Sequence, residues 1–137
     1  MKLHYEVDGD SFLVAGEASA SLKRTLKQLG IDSSIIRKTS ISMYEAEMNM
    51  VIHAHGGVID VEISTDKVNI ILKDIGPGIP DIDLAMREGY STATHEIREL
   101  GFGAGMGLPN MKKNSDNLKV YSEVGVGTTV EITVFLT

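Results

Sequence analysis

The sequence predicts an α/β (α+β) two-layer sandwich, a mixed, mostly antiparallel sheet with helices on one face. Three observations lead there. Apolar and polar residues alternate with period two at both ends of the chain and again in its middle, the pattern of strands with one wet face. Such alternation belongs to antiparallel sheets, whereas a doubly wound parallel sheet reads as continuous apolar runs. Between the strands lie segments of helical period bounded by glycine and aspartate, which supply the second layer.

In chain order, Leu3, Tyr5 and Val7 alternate with polar neighbours, and after Asp8-Gly9 the run Phe12-Leu13-Val14 suggests the second arm of a tight hairpin. Glu17 to Gln28 turns helical and stops at Gly30. A second helix begins after Asp32, a good N-cap, and passes through Ile35, Ile36, Met43, Ala46 and Met50 to end near His55, before Gly56-Gly57. Ile59, Val61 and Ile63 oppose Asp60, Glu62 and Ser64, and after a turn near Asp66-Lys67 comes the run Val68, Ile70 and Leu72. From Asp74 to Gly107 the chain is rich in glycine, with short helices expected at Ile82–Glu88 and Thr94–Leu100. Loops of this length in a small domain are usually lids or binding segments. A helix from Gly107 through Asn114, a strand at Leu118–Glu123, a Gly125-Val126-Gly127 turn and a strand carrying Val130, Ile132, Val134 and Leu136 complete the fold.

Composition removes several classes of function. With 137 residues, 42% hydrophobic and 23% charged, the chain is expected to form one domain over residues 1–137. No apolar run approaches the ~20 residues that cross a bilayer, and Met1-Lys2-Leu3-His4 opens no secretory signal. A cytoplasmic protein without a membrane partner is expected. There is no cysteine, which excludes thiol catalysis and thiolate metal sites. A formal charge of -6, from 13 basic and 19 acidic residues, repels a nucleic-acid backbone.

Four stretches carry chemistry. Glu45, Asn49 and His53 are spaced four apart on the second helix and form a polar stripe, which taken alone reads better as a solvated helix face than as a site. Glu47, one position round, is expected in solvent. Lys73-Asp74-Ile75-Gly76-Pro77-Gly78 follows a strand. An aspartate there can aim its carboxylate into a cleft while bare glycine backbone admits a flat ligand, although a stiff proline turn would read the same way. Gly101-Phe102-Gly103-Ala104-Gly105-Met106-Gly107-Leu108 opens a helix. Four alternating glycines cost roughly 0.5–1 kcal/mol each in backbone entropy, a poor choice for a mere connector and a good one for amides that cradle an anion. Leu108 after Gly107 excludes a P-loop, and the glycine spacing fails the dinucleotide fingerprint. Last, Gly125-Val126-Gly127-Thr128-Thr129 leads into the final strand.

In that order, E-x-x-x-N, D-x-G-x-G, G-x-G-x-G and G-T-T resemble the motifs of the GHKL (Bergerat-fold) ATPase superfamily. The match is closest to the small bacterial serine/threonine kinases of the anti-sigma factor and stress-switch group, through Asp74–Pro80, Glu88–Thr92, Gly105–Pro109 and Ser122–Thr128. It spans Ser40 to Val134, and the Thr94–Leu100 insert departs from the shorter lids of those kinases.

The resemblance implies an ATP-binding protein kinase with Mg²⁺ as cofactor. Asn49 would offer its oxygen to Mg²⁺, and Asp74 would accept from the adenine amino group. Gly76 and Gly78 would leave space beside the base, and Gly103, Ala104, Gly105, Met106, Gly107 and Leu108 would wrap the phosphates. Thr129, with Thr128 as second candidate, would close the adenine pocket. His53 is placed either for a phosphate contact or as a partly buried structural histidine. Glu45 would be the general base that takes the proton of the attacking serine. The implied substrate is a STAS-type antagonist protein, with a sigma factor or other client as a further partner and a homodimer through the first strands compatible with an open hairpin edge. The alternative is an ATP-dependent sequestering module without kinase activity. The ATPase domain of a sensor histidine kinase ranks last, because no helix before the ATPase core carries a histidine to phosphorylate.

Overall fold

The computed structural model describes residues 1–8, 15–54, 56–76 and 107–136. Strand β1 (Lys2–Asp8) is followed by helices α1 (Glu17–Gln28) and α2 (Ser33–His53). Strands β2 (Gly56–Ile63) and β3 (Lys67–Asp74) come next, then helix α3 (Gly107–Lys113) and strands β4 (Asn117–Glu123) and β5 (Gly127–Phe135). The expected strand at Phe12–Val14 and the expected helices at Ile82–Glu88 and Thr94–Leu100 lie outside the described residues.

The strands form one sheet in the order β1-β2-β3-β5-β4, every described pairing antiparallel. β1 therefore pairs with β2, Lys2 opposite Glu62 and Asp8 opposite Gly56. The hairpin expected between Leu3–Val7 and Phe12–Val14 has its second arm outside the described residues.

The three described helices cover the face that carries Ile59, Val61, Ile63, Val68, Ile70, Leu72, Val130, Ile132 and Val134, and Leu22, Leu26, Met43, Met50 and Met111 close the core from above. Each large aliphatic side chain buried there contributes roughly 1.5–3 kcal/mol. The opposite face is polar: exposed His4 and Asp60 meet at 2.6 Å, and the buried Thr133 hydroxyl donates to Asn69 at 2.8 Å.

The turn between α1 and α2 forms as its residues dictate. Gly30 takes φ +74°, and the Ile31 amide reaches back to the Leu26 carbonyl at 3.1 Å, a helix stop that glycine favours. Asp32 then caps α2 by accepting from the Ser34 amide at 3.3 Å.

α2 is the central helix, packed on α1, on α3 and on the sheet, so it has more than one buried face. Two of its buried hydroxyls return to its own backbone, Thr39 to the Ile35 carbonyl at 2.8 Å and Ser42 to that of Lys38 at 2.9 Å, whereas the buried Ser40 hydroxyl has no partner among the described residues.

The same position overturns the expectation for Glu47, which is only 2% exposed. Gly16, the N-cap residue of α1, has no side chain to satisfy the first helical amides. The Glu47 carboxylate does so instead, accepting from the amides of Gly16 at 2.8 Å, Ala18 at 3.3 Å and Ser19 at 3.0 Å, and from the Ser19 hydroxyl at 2.7 Å. An anion at a helix N-terminus is favoured by both the free amides and the helix dipole.

Candidate functional site

The site is built at one end of the sheet's helix-facing side. Asp74 closes β3 and, at period two, shares that side with Val68, Ile70 and Leu72. Thr128, at the start of β5, shares it with Val130, Ile132 and Val134. Antiparallel pairing brings the two together, and Asp74 Oδ1 accepts from the Thr128 amide at 2.9 Å and from the Gly76 amide at 3.0 Å. Two backbone donors on Oδ1 fix the orientation of the carboxylate.

Glycines on both neighbouring strands make room for this arrangement. Gly57 pairs with Asp74 across β2, and a Cβ there would stand 2.0 Å from the Lys73 carbonyl oxygen and 2.8 Å from the Met50 methyl. On the other side, Gly127 has φ +151°, and a Cβ would stand 2.3 Å from the Asp74 carbonyl oxygen. The local sequence marks Gly57 as a helix stop and Gly127 as a turn residue. Their role as space beside Asp74 follows from strand pairing, which no local pattern reveals.

Met50 seated against Gly57 also places α2 over this end of the sheet. Glu45 and Asn49 are half-buried on α2. Among the described residues the Asn49 side chain has no hydrogen-bond partner. Burial pushes the Glu45 carboxyl up from the ordinary carboxylate range, partly offset by a hydrogen bond that Asn110 donates to Oε1 at 3.4 Å. Asn110 was not among the residues singled out from sequence. The only signal was its polar place between Leu108 and Met111, both buried.

The remaining expected residues fall in several places. Leu108 is 6% exposed in the core, so its side chain is spent on packing and only its backbone can meet a ligand. The Thr128 hydroxyl lies 3.0 Å from that of Ser122. Thr129 pairs with Lys73 and Tyr121, and by strand parity its side chain belongs to the opposite face. His53 ends α2, and Gly107 begins α3. Gly78, Gly103, Ala104, Gly105 and Met106 lie outside the described residues.

A single asparagine oxygen would be compatible with Mg²⁺ held jointly with phosphate. Among the described residues no group of three or more histidine or acidic side chains could hold a metal by itself, and Mg²⁺ commonly takes one or two protein oxygens and completes its octahedron with water and phosphate. Asn49 can supply one such oxygen. Among the described residues no helix is long and apolar enough to cross a membrane.

Comparison with known proteins identifies the family. The model of the family described as "Histidine kinase-, DNA gyrase B-, and HSP90-like ATPase" matches residues 41–137. The chain is 31% identical over 113 residues to the serine/threonine-protein kinase RsbT of Bacillus subtilis, covering 80% of this chain and 79% of RsbT. It is 38% identical over 104 residues to the anti-sigma F factor of Thermoanaerobacter sp., covering 72% and 68% respectively. Among solved structures, the RsbU and RsbW domains of Rv1364c from Mycobacterium tuberculosis share the fold with a TM-score of 0.66 at 18% identity, over 98% of this chain and 32% of that one. The mycobacterial sensor histidine kinase MprB does so with a TM-score of 0.55 at 19% identity, over 97% of each chain. The chain thus belongs to the histidine kinase-, DNA gyrase B- and HSP90-like (GHKL) ATPase family, and within it to the group of bacterial serine/threonine kinases and anti-sigma factors.

Proposed function

We propose that this ATP-binding chain transfers the γ-phosphoryl group of Mg-ATP to a serine of a STAS-type antagonist protein in a partner-switching pathway. The observation that carries the reading is Glu45, a half-buried carboxylate with its proton affinity raised, on the same face of α2 as Asn49. A general base is most useful with its pKa lifted toward the working pH, and typically contributes 10²–10⁴-fold.

In this reading the serine hydroxyl gives its proton to Glu45 as its oxygen bonds to the γ-phosphorus. The bond from that phosphorus to the bridging oxygen breaks, and ADP leaves. Positioning and charge neutralisation supply most of the acceleration in phosphoryl transfer. Asp74 selects adenine through its carboxylate, because guanine presents an acceptor where adenine has an amino group. Thr128, whose amide donates to that carboxylate, would border the adenine, and the glycines at 103, 105 and 107 would wrap the phosphates. Asn49 holds Mg²⁺, which when bound neutralises phosphate charge.

A second reading is favoured by the relative named an anti-sigma F factor, namely that the chain sequesters a sigma factor and uses ATP to set its conformation. Incubation with γ-labelled ATP, magnesium and a panel of purified STAS-domain proteins separates the two. The kinase reading requires label on a serine or threonine of one acceptor. A stable complex with a sigma factor and no labelled acceptor would favour sequestration.

A further inference from the structure

We propose that Asn110 is the positioning residue for Glu45, its side-chain amide on α3 holding the carboxylate on α2 in the orientation that receives the substrate proton. The inference rests on the reading of Glu45 as the proton acceptor and extends it to a residue on a different helix.

The contact follows from how α3 is seated. Leu108 and Met111 are 6% and 0% exposed, which fixes the rotation of this short helix against the core. Asn110, between them, is turned toward α2, where Nδ2 donates to Glu45 Oε1 at 3.4 Å. Two further contacts hold the frame. Lys38 of α2 meets Asp116, just beyond α3, at 3.0 Å, and the Asn114 side chain donates to the Asn110 carbonyl at 2.9 Å. The first ties α2 to the turn that follows α3, so the α3 segment is held against α2 at two separated points.

The chemistry also suits the role. A neutral amide donates to a carboxylate without forming an ion pair, so it fixes one oxygen and leaves the other for the hydroxyl proton. A lysine or arginine in its place would hold the carboxylate more strongly and make it a weaker base. The 3.4 Å separation is at the outer limit for a hydrogen bond, and contacts of catalytic groups are often long until substrate is bound.

The test has two readouts. The first needs no substrate. In the ¹⁵N–¹H spectrum of the full chain, the Asn110 side-chain amide signal should move when Glu45 is replaced by alanine. The second is transfer from γ-labelled Mg-ATP to a purified STAS-domain acceptor. Asn110→Leu should lower kcat about tenfold with KM for ATP unchanged, and should cost nothing further in a Glu45→Gln background. Asn110→Asp, which keeps the shape but loses the donor, should be slower still, whereas Asn110→Ser, which keeps a donor, should recover part of the rate. An unmoved amide signal, an unchanged kcat in Asn110→Leu, or equal slowing of the wild-type and Glu45→Gln chains would overturn the inference. If the amide signal responds to Glu45 but the wild-type chain labels no acceptor, the contact stands and the proton-acceptor reading fails instead.

Discussion

Glu47 binds Ser19 twice, its Oε1 accepting from the Ser19 amide at 3.0 Å and from the Ser19 hydroxyl at 2.7 Å. Through this pair α2 caps α1 from outside, and the helix that carries Glu45 and Asn49 is fixed to its neighbour by a buried carboxylate between them in sequence.

Replacing Glu47 with leucine should therefore destabilise the fold. The variant leaves the amides of Gly16, Ala18 and Ser19 without their acceptor in a buried site, where each unsatisfied group costs about 1–3 kcal/mol. A loss of about 3 kcal/mol in urea-denaturation experiments is expected. A change within ~0.5 kcal/mol would show that water replaces the carboxylate at no cost.

Much of the fold was legible because its signals are local. Gly30 and Asp32 mark the α1–α2 turn, and alternation marks every described strand. Glu47 was misread because the groups it binds lie 28 to 31 residues upstream, beyond any helical periodicity, and because α2 is enclosed by α1, α3 and the sheet. The same limit hid Gly57, whose neighbour across the strand is Asp74, and Asn110, which meets Glu45 across 65 residues of chain. The Glu45–Asn49 stripe and the Asp74 motif were visible as spacings. Their approach in space depends on strand order and on Met50 packing against Gly57.

Gly127→Ala should weaken ATP binding more than it weakens the fold. Its Cβ would stand 2.3 Å from the Asp74 carbonyl oxygen and 3.2 Å from Oδ1, so β5 must retreat and the Thr128 amide with it. A loss of roughly tenfold or more in ATP affinity by calorimetry is expected, corresponding to about 1.4 kcal/mol. Alanine at Gly125, where no atom lies within 4 Å of the new Cβ, is the control for backbone strain alone, since φ is +84° there.

Asp74→Asn should preserve the fold and lose adenine. The amide oxygen can still accept from Thr128 and Gly76, but an NH₂ group then faces the adenine amino group, donor against donor. Loss of a hydrogen bond to a charged group is worth about 1.5–3 kcal/mol, roughly a 10- to 100-fold weaker ATP complex. The ratio of GTP to ATP affinity should rise, and an unchanged ratio would place the adenine elsewhere.

The pH dependence follows from the raised pKa of Glu45, caused first by its burial and partly offset by Asn110. Only the carboxylate can accept a proton, so phosphotransfer should fall as the pH drops through a midpoint above the ordinary glutamate value of about 4.3. Stability moves the other way. In this window the folded chain binds the proton that the unfolded chain has lost, so the contribution of Glu45 to stability declines as pH rises through its raised pKa. Glu45→Gln should remove that slope, which denaturation series at several pH values would detect. A slope unchanged by the substitution would assign it to other groups.

The most direct test of the account pairs ATP affinity with phosphotransfer in Glu45→Gln. The variant should bind Mg-ATP within about twofold of the wild-type chain and transfer phosphate to the STAS-domain acceptor at least 100-fold more slowly, the lower end of what a general base contributes. Undiminished transfer by Glu45→Gln would contradict it.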